Sequence, residues 1–471
     1  MIKDKLAEAK LALRSYQTEG ISIMSKRDGN LEFDDMGLGK TLQSLISAID
    51  KVPDYNAPWQ ILVICSKNAL YVWKEEISKW FDEDCIIYTG TPAKRKKIWD
   101  IFYYEDTHFL ITTYGVANEL DKDCWNALIC DEIHVAGLLN QKTKTFRMVQ
   151  EYSKKVPYLY LMTGTPIRQG VIDLYAPLHL IAPEAFKNYW QFVNKYCIVI
   201  DTPFGKHIER NPRNIESFRS VLDNYMVRRL KTEVLKDLPG KQRNVIPLEM
   251  TPKQRLAHQG VLEELYYGDD DSTIVTPNKM TAMLRARQLL VSPRLLGIDE
   301  DGAGLDYIRE AGEALLTAGR PFVVFTPFKQ ALSIIQDVIF EMGMATKIYL
   351  ISGGMTPAAF ANSWQGFESD PSRNKAMICV IKSGASFHAT TASDCFFLGY
   401  EWDFNFNTQS EDRLCRLGQS NFVNCNYLLH NGNSVDEDVK RRLNEKQDSA
   451  NWIIGTEEQY QMMLRKVGPR K

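Results

Sequence analysis

Short apolar runs separated by helix-patterned segments recur in two series along this chain, and that recurrence restricts the fold more than any other feature. The first series is "ILVIC" (Ile61 to Cys65), "FLITT" (Phe109 to Thr113), "ALIC" (Ala127 to Cys130) and "YLYLM" (Tyr158 to Met162). The second is "FVVFT" (Phe322 to Thr326), "KIYLI" (Lys347 to Ile351), "MICVI" (Met377 to Ile381), "CFFLG" (Cys395 to Gly399) and "VNCNYLL" (Val423 to Leu429). Runs of this kind suit strands buried on both faces, so each series predicts a parallel α/β sheet covered by helices. A length of 471 residues also exceeds what one hydrophobic core usually serves.

Between the two series, from about Ala182 to Gly319, the text turns aromatic, charged and helical, with a natural break at Pro239-Gly240. "YGDDDSTIVTPN" reads as the most loop-like stretch. The expected organisation is a first lobe over residues 1–232 with a helical protrusion, and a second over 233–471 with a helical insertion and C-terminal brace helices. Hydrophobic residues at 44% and charged residues at 25% exclude disordered and collagen-like classes, and no apolar run reaches the length of a membrane span. Nine cysteines without a C-x-x-C pair fit neither a zinc site nor a disulfide framework. The N-terminus carries charges throughout and no apolar signal core, which predicts an intracellular monomer with no membrane association. A net charge of −2 advertises no global attraction to nucleic acid, so any such contact must use local patches.

"DDMGLGKT" ends as a phosphate-binding loop does, but Asp34 stands where the strict G-x-x-x-x-G-K-[ST] pattern has its first glycine. The chemistry survives that loss. Gly37 and Gly39 allow close backbone approach, Asp35, Met36 and Leu38 complete the loop, Lys40 supplies charge, and Thr41 supplies a hydroxyl for Mg2+. Leu42, Leu45, Ile46 and Ile49 then mark one helical face. Asp131 and Glu132 follow a buried run directly, placing one carboxylate to hold Mg2+ and another to orient or deprotonate the attacking water.

Together, "DDMGLGKT" and "DEIH" resemble the first two motifs of the Swi/Snf-type ATPases, a family of superfamily-two helicase-like proteins. "LRSYQ" resembles the adenine-reading motif, which implies a nucleotide contact for Gln17. "LVICSKNALYVWKEEISKW", "ITTYG" and "LMTGTP" follow in family order, and "VRRLKTEVLKDLPGKQRNVIPLEM" resembles the segment entering the second lobe. "QSEDRLCRLGQ" resembles the Q-x-x-x-R-x-x-R-x-G-Q block, with Arg413 and Arg416 expected on one helical face as arginine fingers. The resemblance implies two RecA-like lobes, with ATP and Mg2+ in the cleft between them. Within the family, "EWDFNFNTQSEDRLCRLGQ" and the compact length are most similar to the annealing-helicase branch.

Matching the family's DNA-contact blocks implies phosphate contacts from Ser66 and Lys67, Thr112 and Thr113, and Ser383 and Gly384. The block "VIKSGASFHATTASD" departs from the family pattern, with Ser386, Phe387 and His388 where small or amide residues are commoner. His388 reads equally as a DNA contact or a packed imidazole. The basic run Lys94 to Lys97 reads as a solvated face more readily than as a phosphate contact. A stripped motor of this size suggests a bacterial or phage source rather than a nuclear one, with targeting left to a protein partner. The expected function is ATP-driven translocation along duplex or branched DNA without sequence recognition. A strand-separating DNA or RNA helicase and a non-motor nucleic-acid clamp use the same motifs and stay open.

Overall fold

The computed structural model describes residues 2–104, 107–202, 205–235, 239–263, 279–343, 345–383, 387–416 and 418–431. They form two units that divide between residues 236 and 237. The loop-like stretch at 267–278 and the C-terminal segment expected to brace the lobes lie outside the described residues.

In the first unit, strands β1 (Gly29–Glu32), β2 (Ile61–Cys65), β3 (Cys85–Tyr88), β4 (Phe109–Thr113), β5 (Ala127–Cys130) and β6 (Tyr158–Met162) precede an antiparallel hairpin of β7 (Cys197–Thr202) and β8 (Gly205–Pro212), and β9 (Met226–Val227) follows it. One seven-stranded sheet runs in the order β3-β4-β2-β5-β6-β1-β9, and every pairing in it is parallel. Strand β2 shows why its sequence is continuously apolar. Ile61, Val63 and Cys65 enter the core on one face, Leu62 and Ile64 enter the core on the other, and none is exposed.

The second unit repeats the scheme with β10 (Lys241–Leu248), β11 (Phe322–Thr326), β12 (Lys347–Ile351), β13 (Lys375–Val380), β14 (Asp394–Phe397) and β15 (Val423–His430). Their order is β10-β15-β14-β11-β13-β12, again all parallel. Val323 and Phe325 pack on one face of β11, Phe322 and Val324 on the other.

Four strands lie inside the segment expected to be helical: the β7–β8 hairpin, β9 and β10. Strand β9 closes an edge of the first sheet and β10 an edge of the second. Pro247 is tolerated in β10 because an edge strand has one side free of ladder bonds. Among the described residues no helix is long and apolar enough to cross a membrane.

Candidate active site

The phosphate-loop pattern lies between β1 and the helix Lys40–Asp50, at the carboxyl edge of the parallel sheet, where α/β folds place their ligands. Gly37 and Gly39 both have φ of 81°, a left-handed conformation that glycine adopts without steric cost. Gly39 is the helix N-cap and no side chain caps it, so the first-turn N–H groups stay available to an anion. Gln17 packs over this turn. Its amide donates to the Leu38 carbonyl at 3.1 Å, and a Cβ on Gly39 would collide with the same amide. Lys40 folds back across the loop and donates to the carbonyls of Asp34 and Asp35 at 2.8 and 3.2 Å.

Asp34 shows what replaces the missing glycine. Its carboxylate is fully buried and takes a two-pronged ion pair from Arg229 together with a 3.1 Å bond from the Gln43 amide. The neighbouring Asp35 receives Arg228 at 3.1 Å and the Lys231 N–H at 3.1 Å. Arg228 also donates to the carbonyls of Phe33 and Gly164. Pairing of β9 with β1, in the register Leu31 to Met226 and Glu32 to Val227, sets the two arginines beside the two aspartates. The loop is thus pinned from outside by a charged cluster, where a strict P-loop relies on its own first glycine.

Asp131 and Glu132 leave the carboxyl end of β5. The Asp131 carboxylate accepts from Trp73 Nε1 at 3.0 Å and its carbonyl from the Tyr114 hydroxyl at 2.7 Å. Burial, reinforced by the Glu132 charge, pushes the Asp131 carboxyl up to about 6. Glu132 has φ of 50°, a left-handed conformation rare for a residue with a Cβ. Its Oε2 lies 3.2 Å from His134 Nδ1 and accepts from the Thr163 hydroxyl at 3.5 Å, while His134 and Thr163 are themselves 2.8 Å apart. Thr163 belongs to "LMTGTP", so the second carboxylate is oriented by the following motif.

A nucleotide and Mg2+ fit these residues. The open helix start and Lys40 suit phosphate, and a divalent cation would hold ionised a carboxyl that burial and a neighbouring charge push toward its neutral form. Thr41, half-buried on the first turn of the helix, is the hydroxyl available there.

In the second unit, Arg413 and Arg416 do not lie on a helix. The helix Phe404–Glu411 ends before them and turns carry the chain onward, because Leu414 and Cys415 are drawn into the core. The two guanidinium groups still converge, each donating to the Phe387 carbonyl.

The residues matched to DNA-contact blocks divide. Ser66, the exposed Lys67 and Thr113 share the carboxyl edge of the first sheet, with Thr113 paired to Cys65. Thr112 is fully buried and its hydroxyl donates to the Tyr88 carbonyl at 2.9 Å, so its side chain faces away from any surface phosphate. Ser383 is buried in the turn Ile381–Ser383, and Gly384 lies outside the described residues. His388 packs against Trp364 with ring centres 4.6 Å apart. In the basic run, Arg95 is committed to Glu119 at 2.6 and 2.7 Å, leaving Lys94, Lys96 and Lys97 exposed.

Sequence reasoning passed over Arg228, Arg229, His134 and Thr163. It also passed over Glu32, a completely buried β1 side chain whose two carboxyl oxygens lack a hydrogen-bond partner. The adjacency of "DE" to His134 was a usable signal; the pairing of "DD" with "RR" across 195 residues was not.

Comparison with known proteins gives a consistent result. The SNF2-related domain profile matches residues 16–295. The human DNA annealing helicase and endonuclease ZRANB3 is 27% identical over 460 residues, covering 95% of this chain and 41% of the relative. A Xenopus tropicalis SWI/SNF-related regulator of chromatin, subfamily A-like protein 1, is 26% identical over 439 residues, covering 90% of this chain and 43% of the relative. This chain therefore spans about two fifths of the length of these curated relatives. Among solved structures, the Sulfolobus solfataricus SWI2/SNF2 ATPase core in complex with dsDNA is 25% identical, with 98% of this chain and 97% of that chain covered and a TM-score of 0.44. With more than half of its length matched, and with the family's motifs gathered at the sheet edge, the chain belongs to the SNF2-related domain family of helicase-like ATPases.

Proposed function

We propose that this protein hydrolyses ATP and uses the cycle to move along duplex or branched DNA. The observation that carries the reading is the convergence, at one sheet edge, of the Gly37 to Thr41 turn with Asp131 and Glu132, the latter held by His134 and Thr163. Gln17, Gly37, Gly39, Lys40 and Thr41 hold the nucleotide, and Thr41 and Asp131 hold Mg2+, which supplies charge neutralisation at the phosphates when bound. Glu132 orients and deprotonates the attacking water. Arg413 and Arg416 are assigned as the arginine fingers that the family motif implies.

Branched DNA is supported by the similarity to the human DNA annealing helicase and endonuclease ZRANB3. Gripping is assigned to phosphates through Ser66, Lys67 and Thr113, without base reading.

The test is ATP hydrolysis at fixed salt by the purified chain alone and with duplex DNA, forked DNA, single-stranded DNA or RNA, with Lys40→Ala as control. Stimulation by duplex or fork, followed by triplex displacement, supports translocation. Stimulation by RNA or single strands alone replaces it with the strand-separating helicase. Nucleotide-dependent DNA retention without triplex displacement replaces it with a clamp.

A further inference from the structure

The second unit begins with a strand whose half-buried Lys241 and exposed Arg243 both reach a buried carboxylate in the segment that carries the two arginines. Lys241, at the start of β10, donates to Glu411 at 2.8 Å and to Asp412 at 2.9 Å. Arg243 grips both oxygens of Glu411, at 2.6 and 2.9 Å. Tyr427 of β15 donates to the same carboxylate at 2.5 Å. Glu411 is fully buried and is the last residue of its helix, two positions before Arg413.

A second tie lies just upstream, where the Cys415 thiol donates to the Pro239 carbonyl at 3.7 Å. The Val423 N–H, entering β15, donates to the Gly240 carbonyl at 3.0 Å. The first described residues after the division between the units are therefore fastened directly to the arginine segment, from both sides of Arg413 and Arg416.

Burying the Glu411 carboxylate beneath two cations is an expensive way to close a sheet edge, because desolvation offsets much of the attraction and an apolar residue would serve as well for stability. What a bidentate ion pair adds is a fixed direction and register. We infer that Lys241, Arg243, Glu411 and Tyr427 form a latch that positions Arg413 and Arg416 relative to Pro239-Gly240 and the β10 strand that follows it. Displacement of Pro239-Gly240 then reaches the arginines without slack. Lys241, Glu411 and Tyr427 are positioning residues, acting through the arginines and touching no substrate. The inference rests on the proposed ATPase reading and adds a route by which the start of β10 governs the chemical step.

The test uses the full chain with Mg-ATP and saturating linear duplex DNA, and compares Lys241→Ala, Tyr427→Phe and Lys241→Arg with Arg416→Ala. Tyr427→Phe keeps the ring stacked on Phe397 while removing one hydrogen bond, so it covers the case in which Lys241→Ala fails to fold. Misplacing a reacting group by about 1 Å costs up to ~10²-fold. Lys241→Ala should slow single-turnover hydrolysis by roughly that factor and Tyr427→Phe by about tenfold, with ATP affinity unchanged, while Lys241→Arg recovers most of the rate. Added to Arg416→Ala, either change should slow hydrolysis by less than it does alone, because only Arg413 is left to position. Unmodified rates in Lys241→Ala and Tyr427→Phe beside a slow Arg416→Ala overturn the latch, as do losses that add independently to that of Arg416→Ala. Unmodified rates in Arg416→Ala overturn the arginine assignment beneath it.

Discussion

Arg413 and Arg416 donate to one acceptor, the carbonyl oxygen of Phe387, at 3.2 and 3.3 Å. Phe387 belongs to the block that departs most from the family pattern, and its ring lies under the Arg413 guanidinium at 6.0 Å. The two arginines are thus gathered by a backbone oxygen of another segment instead of by helical spacing. The side chains of the two differ in what they add to the fold, since Arg413 is almost fully buried and Arg416 is half-buried.

That difference makes Arg416→Ala the cleaner probe. It should lower single-turnover ATP hydrolysis by ~10³ while leaving ATP affinity and melting temperature close to those of the unmodified chain. Arg413→Ala should lower the rate and the melting temperature together. Stopped-flow phosphate release with a parallel thermal melt separates the two, and normal turnover in Arg416→Ala would remove the finger assignment.

Restoring the strict phosphate-loop pattern should damage this protein. Asp34→Gly leaves the Arg229 guanidinium, only 13% exposed, without its carboxylate, and leaves the Gln43 amide with the Leu38 carbonyl at 3.2 Å as its remaining acceptor. Breaking a buried pair from one side costs about 3–5 kcal/mol. The first unit should melt earlier and ATP binding should weaken, as read by differential scanning calorimetry and nucleotide titration. An unchanged melting profile would mean that Arg229 does not hold the loop.

The parts of the fold legible in the sequence are those whose environment is local and apolar. Strand β2 declares itself because all five of its side chains are buried. Strand β10 does not, because Lys241 and Arg243 read as solvent-facing charges until Glu411 is found beside them, 168 residues away from Arg243. The same holds for the "DD" and "RR" pairs around the phosphate loop. The arginine block was legible as a motif but its conformation was not, since burial of Leu414 and Cys415 overrides helical propensity there. Among phosphate contacts, matching by motif cannot tell Thr113 at the sheet edge from Thr112 inside it, because their identical side chains point to opposite faces.

Glu132 is held by His134 and Thr163 in a strained backbone conformation, so its side chain can be neutralised with little change of shape. Glu132→Gln keeps a carbonyl oxygen for both partners but cannot accept a proton. Hydrolysis should fall by ~10² to 10⁴ while ATP binding persists. Equilibrium nucleotide binding beside steady-state turnover checks both halves, and equal loss of binding would make Glu132 a structural anchor instead.

Glu32 faces the opposite balance. It is fully buried, its oxygens have no hydrogen-bond partner, and burial raises its carboxyl well above the ordinary value, an effect that Asp34 reinforces and that Lys40 and Arg229 oppose. The unfolded chain releases this proton above about pH 4.5 and the folded chain does not, so over the window above 4.5 the unfolded state binds fewer protons and stability falls as pH rises. Glu32→Leu removes that penalty and a buried unsatisfied group, and should stabilise the first unit by about 1–3 kcal/mol near neutral pH. The gain should shrink as pH approaches 4.5. Glu32→Gln keeps an unpartnered polar group and should gain less. Thermal melts of the three chains from pH 4.5 to 8 decide it: a destabilised Glu32→Leu at neutral pH would mean that the carboxyl is held by partners in solution, and its place beneath the phosphate loop would then mark it as part of the site.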